Sequence, residues 1–91
     1  MFYTVYILYS HKDGKLYVGC TSNLRSRMKR HYAGYVPATA QRRPLELVTF
    51  EEFEHKAEAV NRERFLKSLW GAREKKKILE DFRNSKCVLD G

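Results

Sequence analysis

The run Phe2-Tyr3-Thr4-Val5-Tyr6-Ile7-Leu8-Tyr9, then His11-Lys12-Asp13-Gly14, then Lys15-Leu16-Tyr17-Val18-Gly19, decides how this chain folds. The first run is almost continuously apolar and rich in aromatic and β-branched residues. That pattern predicts a strand covered on both faces, where a half-exposed strand would alternate. An Asp-Gly pair between two such runs predicts a hairpin, with residues 15–19 as the returning strand. Thr21, Ser22 and Asn23 are helix-capping types and lead into a helix over about residues 24–32. Gly34 and Pro37 interrupt it, and residues 35–44 read as an irregular, basic loop. Residues 45–53 form a third strand, with Pro44 at its mouth where a missing N–H matters least. Two helices follow, over about 56–69 and 72–83, separated near Trp70-Gly71. The expected fold class is α/β of the α+β type. It is a small three-stranded, mainly antiparallel sheet flanked by helices in the order β-β-α-β-α-α.

The chain has 91 residues, the size of a single domain spanning 1–91. At 43% hydrophobic and 13% aromatic residues it has the material for a packed interior. Its two cysteines, Cys20 and Cys87, are too few and too far apart for a disulfide framework or a cysteine zinc site. The opening residues lack the pattern of a signal peptide, and no apolar run is long enough to span a bilayer. A reducing, cytoplasmic location is expected.

Eighteen Lys and Arg against eleven Asp and Glu give a net charge of +7. A field of that sign steers polyanions, and phosphate contacts from Lys and Arg dominate affinity for nucleic acid. The cations cluster at Arg25, Arg27, Lys29 and Arg30, at Arg42 and Arg43, at Arg62, Arg64 and Lys67, and at Arg73, Lys75, Lys76 and Lys77. Such clusters also occur on plain solvated surfaces. Arg25, Arg30, Arg42, Arg43 and Lys67 are the expected contacts to a nucleic-acid backbone.

Three local features carry chemistry. Tyr6 and Tyr17 lie on adjacent strands, and Gly19 beyond Tyr17 permits a bulge or a close backbone approach. A cross-strand aromatic pair is also ordinary packing. On the first helix Leu24, Met28 and Tyr32 recur at every fourth residue and are expected to face the core. Arg27 and His31, also four apart, share a neighbouring face. The guanidinium fork suits phosphate oxygens, and an imidazole one turn away can move a proton near neutral pH. On the second helix Ala59, Leu66, Leu69 and Trp70 form the expected apolar stripe, and Glu63 falls on or beside it. A carboxylate there must snorkel, pair with Lys67 one turn on, or bind a cation.

Taken together, Thr4-Val5-Tyr6, Tyr17-Val18-Gly19, Arg27, His31 and Glu63 resemble the GIY-YIG nuclease superfamily. The pattern Ala59-x-x-x-Glu63-x-x-x-Lys67-x-x-Trp70 is similar to its small bacterial, stand-alone branch. The resemblance runs from about Thr4 to Leu79. It implies phosphodiester hydrolysis with one divalent metal, Mg²⁺ or Mn²⁺, held by Glu63. It implies Tyr17 as general base or as the group orienting water, with Tyr6 positioning that water or the phosphate. Arg27 would stabilise the charge on the phosphoryl oxygens, assisted by His31. The chain departs from the family pattern in three places. Thr4 replaces the first Gly, Cys20 stands where repair nucleases carry a Lys, and the Asn that many members place after the metal Glu is absent until Asn84.

Two functions from different classes follow. One is a metal-dependent endonuclease acting on DNA, on branched, nicked or single-stranded forms. The other is a nucleic-acid-binding module with weak or no cleavage, using exposed tyrosines to stack bases. A protein-interaction domain with charge only for solubility ranks third. His11 and His55 read as surface residues in turns.

Overall fold

The computed structural model describes the backbone of residues 2–90 and the side chains of residues 2–85. Met1, Gly91 and the Cys87 side chain, which belong to the expected 1–91 domain and cysteine inventory, lie outside the described residues. Three strands, β1 (Tyr3–Ser10), β2 (Leu16–Thr21) and β3 (Leu45–Phe53), form one sheet. The helices are α1 (Leu24–Ala33), α2 (Pro37–Ala40), α3 (Lys56–Lys67) and α4 (Ala72–Asp90). The strand order is β2-β1-β3, with both pairs antiparallel.

Central placement explains the composition of β1. Its residues Thr4 to Leu8 are all buried, as the unbroken apolar run required. The hairpin closes through Ser10 N–H donating to the Lys15 carbonyl at 3.0 Å. Within the turn, Lys15 N–H donates to the Asp13 carboxylate at 2.9 Å, and Gly14 takes φ +71°, a conformation open to glycine at little steric cost.

Each face of the sheet has its own core. Val5, Ile7 and Val18 pack against Ala59 and Leu66 of α3, with Ile78 of α4 alongside. Tyr6, Leu8, Met28 and Leu45 form the other core, bordered by Tyr17, Leu24 and Leu47. Arg62 of α3 ties the layers at their rim. Its Nε donates to Glu51 of β3 at 2.7 Å and its Nη1 to Glu74 of α4 at 3.0 Å, while the guanidinium sits 5.6 Å from the Phe65 ring centroid.

The structure differs from the sequence expectations at five places. Met28 is buried, but Leu24 is half-buried and Tyr32 is 52% exposed. A four-residue step overshoots one helical turn by about 40°, so the stripe drifts off the core by Tyr32. His31 takes the inward position instead, with 0% exposure. The expected loop 35–44 contains α2, which begins at Pro37, where a fixed φ and a missing N–H suit the first helical turn. Helix α3 stops at Lys67, ahead of the expected end, and is followed by a 3-10 turn over Leu69–Gly71. Leu69 and Trp70, expected in the apolar stripe, are 93% and 84% exposed. The cause is Gly71. It packs so tightly that a Cβ would lie 2.2 Å from the Phe65 carbonyl oxygen, and this inward path turns its two predecessors outward. Helix α4 runs to Asp90, beyond the expected end near Arg83, since no Gly or Pro follows until Gly91.

Gly71→Ala is expected to destabilise the fold by about 1–3 kcal/mol, because the clashing atoms are backbone and cannot rotate away. Urea unfolding followed by circular dichroism measures this as a lowered midpoint at unchanged slope.

Candidate functional site

Tyr6 points from the centre of the sheet across β2. It pairs in register with Gly19, and a Cβ on Gly19 would fall 2.3 Å from both Cζ and Oη of Tyr6. The ring therefore occupies the space a side chain at position 19 would fill. That is the close approach which a glycine after Tyr17 signalled.

The Tyr6 hydroxyl is 2.8 Å from His31 Nε2, and His31 Nδ1 is 2.7 Å from Thr39 Oγ1. Tyr6, His31 and Thr39 have 1%, 0% and 0% exposure. Burial, with the nearby Arg27 charge adding to it, lowers the His31 pKa and favours the neutral ring. A neutral imidazole carries one N–H, so one of the two hydroxyls donates to the ring and the other accepts from it. Burial also pushes the Tyr6 pKa up to about 12, reinforced by Tyr17 and partly offset by the Arg27 guanidinium. Tyr6 is thus a neutral, anchored phenol. It is too deeply buried to stack on a base, so the stacking expected of exposed tyrosines does not extend to Tyr6.

Tyr17 packs over this pair from β2. Its ring centroid lies 6.4 Å from that of Tyr6 and 5.5 Å from that of His31. Unlike Tyr6 it is only half-buried. Lys67 Nζ sits 5.8 Å from the Tyr17 ring centroid and donates to Glu63 Oε2 at 3.1 Å. The i,i+4 pair between Glu63 and Lys67 is therefore formed, and it stands against Tyr17. The Glu63 charge acts on Tyr6 and on Cys20, and both effects raise the partner's pKa. Arg27 acts on Tyr6 and His31 in the opposite sense, lowering both, and its Nε is buried with no hydrogen-bond partner among the described residues.

Tyr6, Tyr17, Arg27, His31 and Glu63 thus come together, with Lys67 among them. The other basic residues sort differently. Arg42 donates through Nε to Asp13 at 2.7 Å, and Arg43 donates to the carbonyls of Ala40 and Tyr32 at 3.1 and 3.4 Å. Both guanidinium groups already have partners within the fold. Arg25 and Arg30 are exposed on α1. His11 is a surface residue hydrogen-bonded to Glu46 at 3.0 Å, and His55 is the exposed N-cap of α3. A cleft of about 440 Å³ lined by Tyr32, Gln41, Arg43 and Leu45 includes none of the converging residues. We place the candidate site where the side chains converge, since an empty volume without chemistry carries no function. Thr39 was not foreseen. It lies eight residues from His31 in a stretch that reads as loop, and no spacing rule links the two.

Among the described residues no three His, Cys, Asp or Glu side chains cluster to hold a metal. Glu63 alone fits a cation that keeps most of its water, as Mg²⁺ does. Its present counter-charge is one flexible lysine, and the Cys20 thiol beside it is pushed up mainly by burial and stays protonated at neutral pH. The donor set is one hard oxygen anion and no thiolate, which suits Mg²⁺ or Mn²⁺.

The model of the GIY-YIG catalytic domain matches residues 2–77. The chain belongs to the GIY-YIG family. Among its relatives is a UPF0213 protein of Clostridium perfringens, 48% identical over 66 residues, covering 71% of this chain and 70% of that protein. The UPF0213 protein YazA of Bacillus subtilis is 42% identical over 77 residues, covering 82% of this chain and 76% of YazA. The solution structure of the UPF0213 protein BH0048 of Bacillus halodurans superposes with a TM-score of 0.53 at 35% identity, covering 88% of this chain and 84% of that one. The expected membership in a small bacterial branch of the family agrees with these relatives. No helix among the described residues is long and apolar enough to cross a membrane.

The buried His31 gives a pH dependence with a defined sign. Its folded pKa lies below the ordinary value of 6.5, so its contribution to stability is full above pH 6.5 and is lost as pH falls toward the folded pKa. Unfolding free energy measured in urea is expected to drop between pH 7.5 and 5.5. In His31→Gln the drop is expected to be smaller.

Proposed function

We propose that this chain is a divalent-metal-dependent endonuclease that hydrolyses phosphodiester bonds in DNA, acting in the cytoplasm. The reading is supported by Arg27, a half-buried guanidinium that acts on Tyr6 and His31, in the neighbourhood where Tyr17, Lys67 and Glu63 also meet. A guanidinium that is only half-buried keeps part of its donor fork for a phosphoryl oxygen, a charge-assisted acceptor suited to it.

The residues divide the work. Arg27 binds the scissile phosphate and neutralises charge as it builds on the oxygens. Tyr17, the more accessible tyrosine, orients the attacking water, or as its phenolate would take that water's proton. Tyr6 does not contact solvent. Fixed by His31 and seated over Gly19, it holds the ring of Tyr17 in place and offers its hydroxyl to the buried side of the site. His31 and Thr39 fix Tyr6 in turn. Glu63 is the metal ligand, and a divalent cation bound there supplies Lewis-acid polarisation of the phosphate. Lys67, paired with Glu63 here, would be free to meet a neighbouring phosphate if that carboxylate held a metal. Arg25 and Arg30 extend the basic surface along α1, whereas Arg42 and Arg43 would have to leave their present partners to join it.

One observation favours the second reading, a nucleic-acid-binding module with little cleavage. The Glu63 carboxylate is already paired with Lys67. Cleavage assays on single-stranded, duplex and branched DNA with Mg²⁺ or Mn²⁺ separate the two. Glu63→Ala and Tyr17→Phe are each expected to reduce cleavage by about a hundredfold or more while leaving the fold intact. A wild-type chain that cuts nothing yet binds DNA with a steep salt dependence is the binding module.

A further inference from the structure

We propose that Trp70 is a stacking platform for an unpaired DNA base next to the catalytic centre, so that the preferred substrate is single-stranded or locally opened. The inference rests on the nucleic-acid reading of the site.

An indole 84% exposed on a chain with its own packed cores calls for an explanation. The exposure is built into the backbone. Ser68 closes α3 by donating its hydroxyl to the Phe65 carbonyl at 2.6 Å, and Gly71 N–H donates to the Ser68 carbonyl at 3.2 Å. With Gly71 pressed against Phe65 and Leu66, the turn has one way to point, and it presents Leu69 and Trp70 to solvent.

The location matters as much as the exposure. Trp70 follows Lys67 by three residues, a span of at most about 11 Å, and the Lys67 ammonium lies 5.8 Å from the Tyr17 ring centroid. Arg64 precedes this segment and Arg73 and Lys77 follow it, all exposed. Nearby acidic groups are neutralised, Glu63 by Lys67 and Glu74 by Arg62. A flat aromatic face amid exposed cations that form no ion pair among the described residues, Arg64, Arg73 and Lys77, matches a nucleic-acid strand, whose bases stack while its phosphates meet the charges. An apolar protein partner would leave those cations desolvated and unpaired. A closed duplex hides its base faces within its own stack, so the platform selects unpaired bases.

Trp70 is the chain's only tryptophan, and its fluorescence therefore reports this ring alone. The test titrates the whole chain, with EDTA present so that nothing is cut, against a short oligothymidylate and a blunt duplex of equal length. Saturable quenching by the single strand, and clearly less by the duplex, is expected. Trp70→Ala is expected to weaken single-strand binding roughly ten- to a hundredfold, measured by anisotropy of a labelled oligonucleotide, and Trp70→Phe to restore most of it. The platform is overturned by salt-dependent DNA binding without quenching, by equal affinity of Trp70→Ala, or by a duplex that quenches as strongly as the single strand. A fluorescence shift that depends on protein concentration without DNA would also overturn it, as evidence of self-association. Quenching without cleavage in Mg²⁺ or Mn²⁺ would support the platform and sink the nuclease reading. Cleavage without quenching would do the reverse.

Discussion

The buried imidazole of His31 is the constraint on which the rest of the site depends. A ring with both nitrogens away from water needs two polar partners, or it loses more in desolvation than its packing returns. The partners come from separate elements, Tyr6 at the centre of the sheet and Thr39 on a four-residue helix. Satisfying one side chain thus brings β1, α1 and α2 together. It also fixes the Tyr6 phenol, which has space to lie across β2 only because position 19 lacks a side chain. Change the imidazole and the tyrosine loses its anchor. Fill the space over Gly19 and the tyrosine cannot reach the imidazole.

Sheet order then sets where the chemistry lies. With β1 in the middle, β2 forms one edge, and helices cover both faces. The tyrosines and His31 belong to the α1 face, while Ala59 and Leu66 anchor α3 on the opposite face. Lys67 nevertheless reaches the Tyr17 ring from α3. Groups from the two faces therefore meet around the short strand β2. A half-buried position of this kind strengthens charge interactions while leaving room for a polyanion to approach.

The basic residues are not a uniform coat. Arg62 clamps β3 to α4, with its pKa held up mainly by hydrogen bonds to Glu74 and Glu51, and Arg42 secures the hairpin turn through Asp13. These cations hold the fold together, whereas Arg25, Arg30, Arg64 and Arg73 stand exposed. Composition alone cannot separate the two groups, since net charge counts a clamped guanidinium and a free one alike.

Much was legible in the sequence by itself. The continuous apolar run of β1, the Asp-Gly turn, the capping triplet before α1 and the bounds of β3 are local signals, each set by sterics or hydrogen bonding within a few residues. The spacing of Tyr6, Tyr17, Arg27, His31 and Glu63 carried the family resemblance, and the family match agrees with it. What the sequence could not supply depends on contacts distant along the chain. Thr39 meets His31 through a helix too short to show a period. Trp70 looks like core by helical spacing, and the packing of Gly71 against Phe65 turns it outward. Tyr6 and Tyr17 look equivalent as letters. Only the tertiary structure separates them, because burial over Gly19 and the bond to His31 make one tyrosine an anchor and leave the other half-buried beside it.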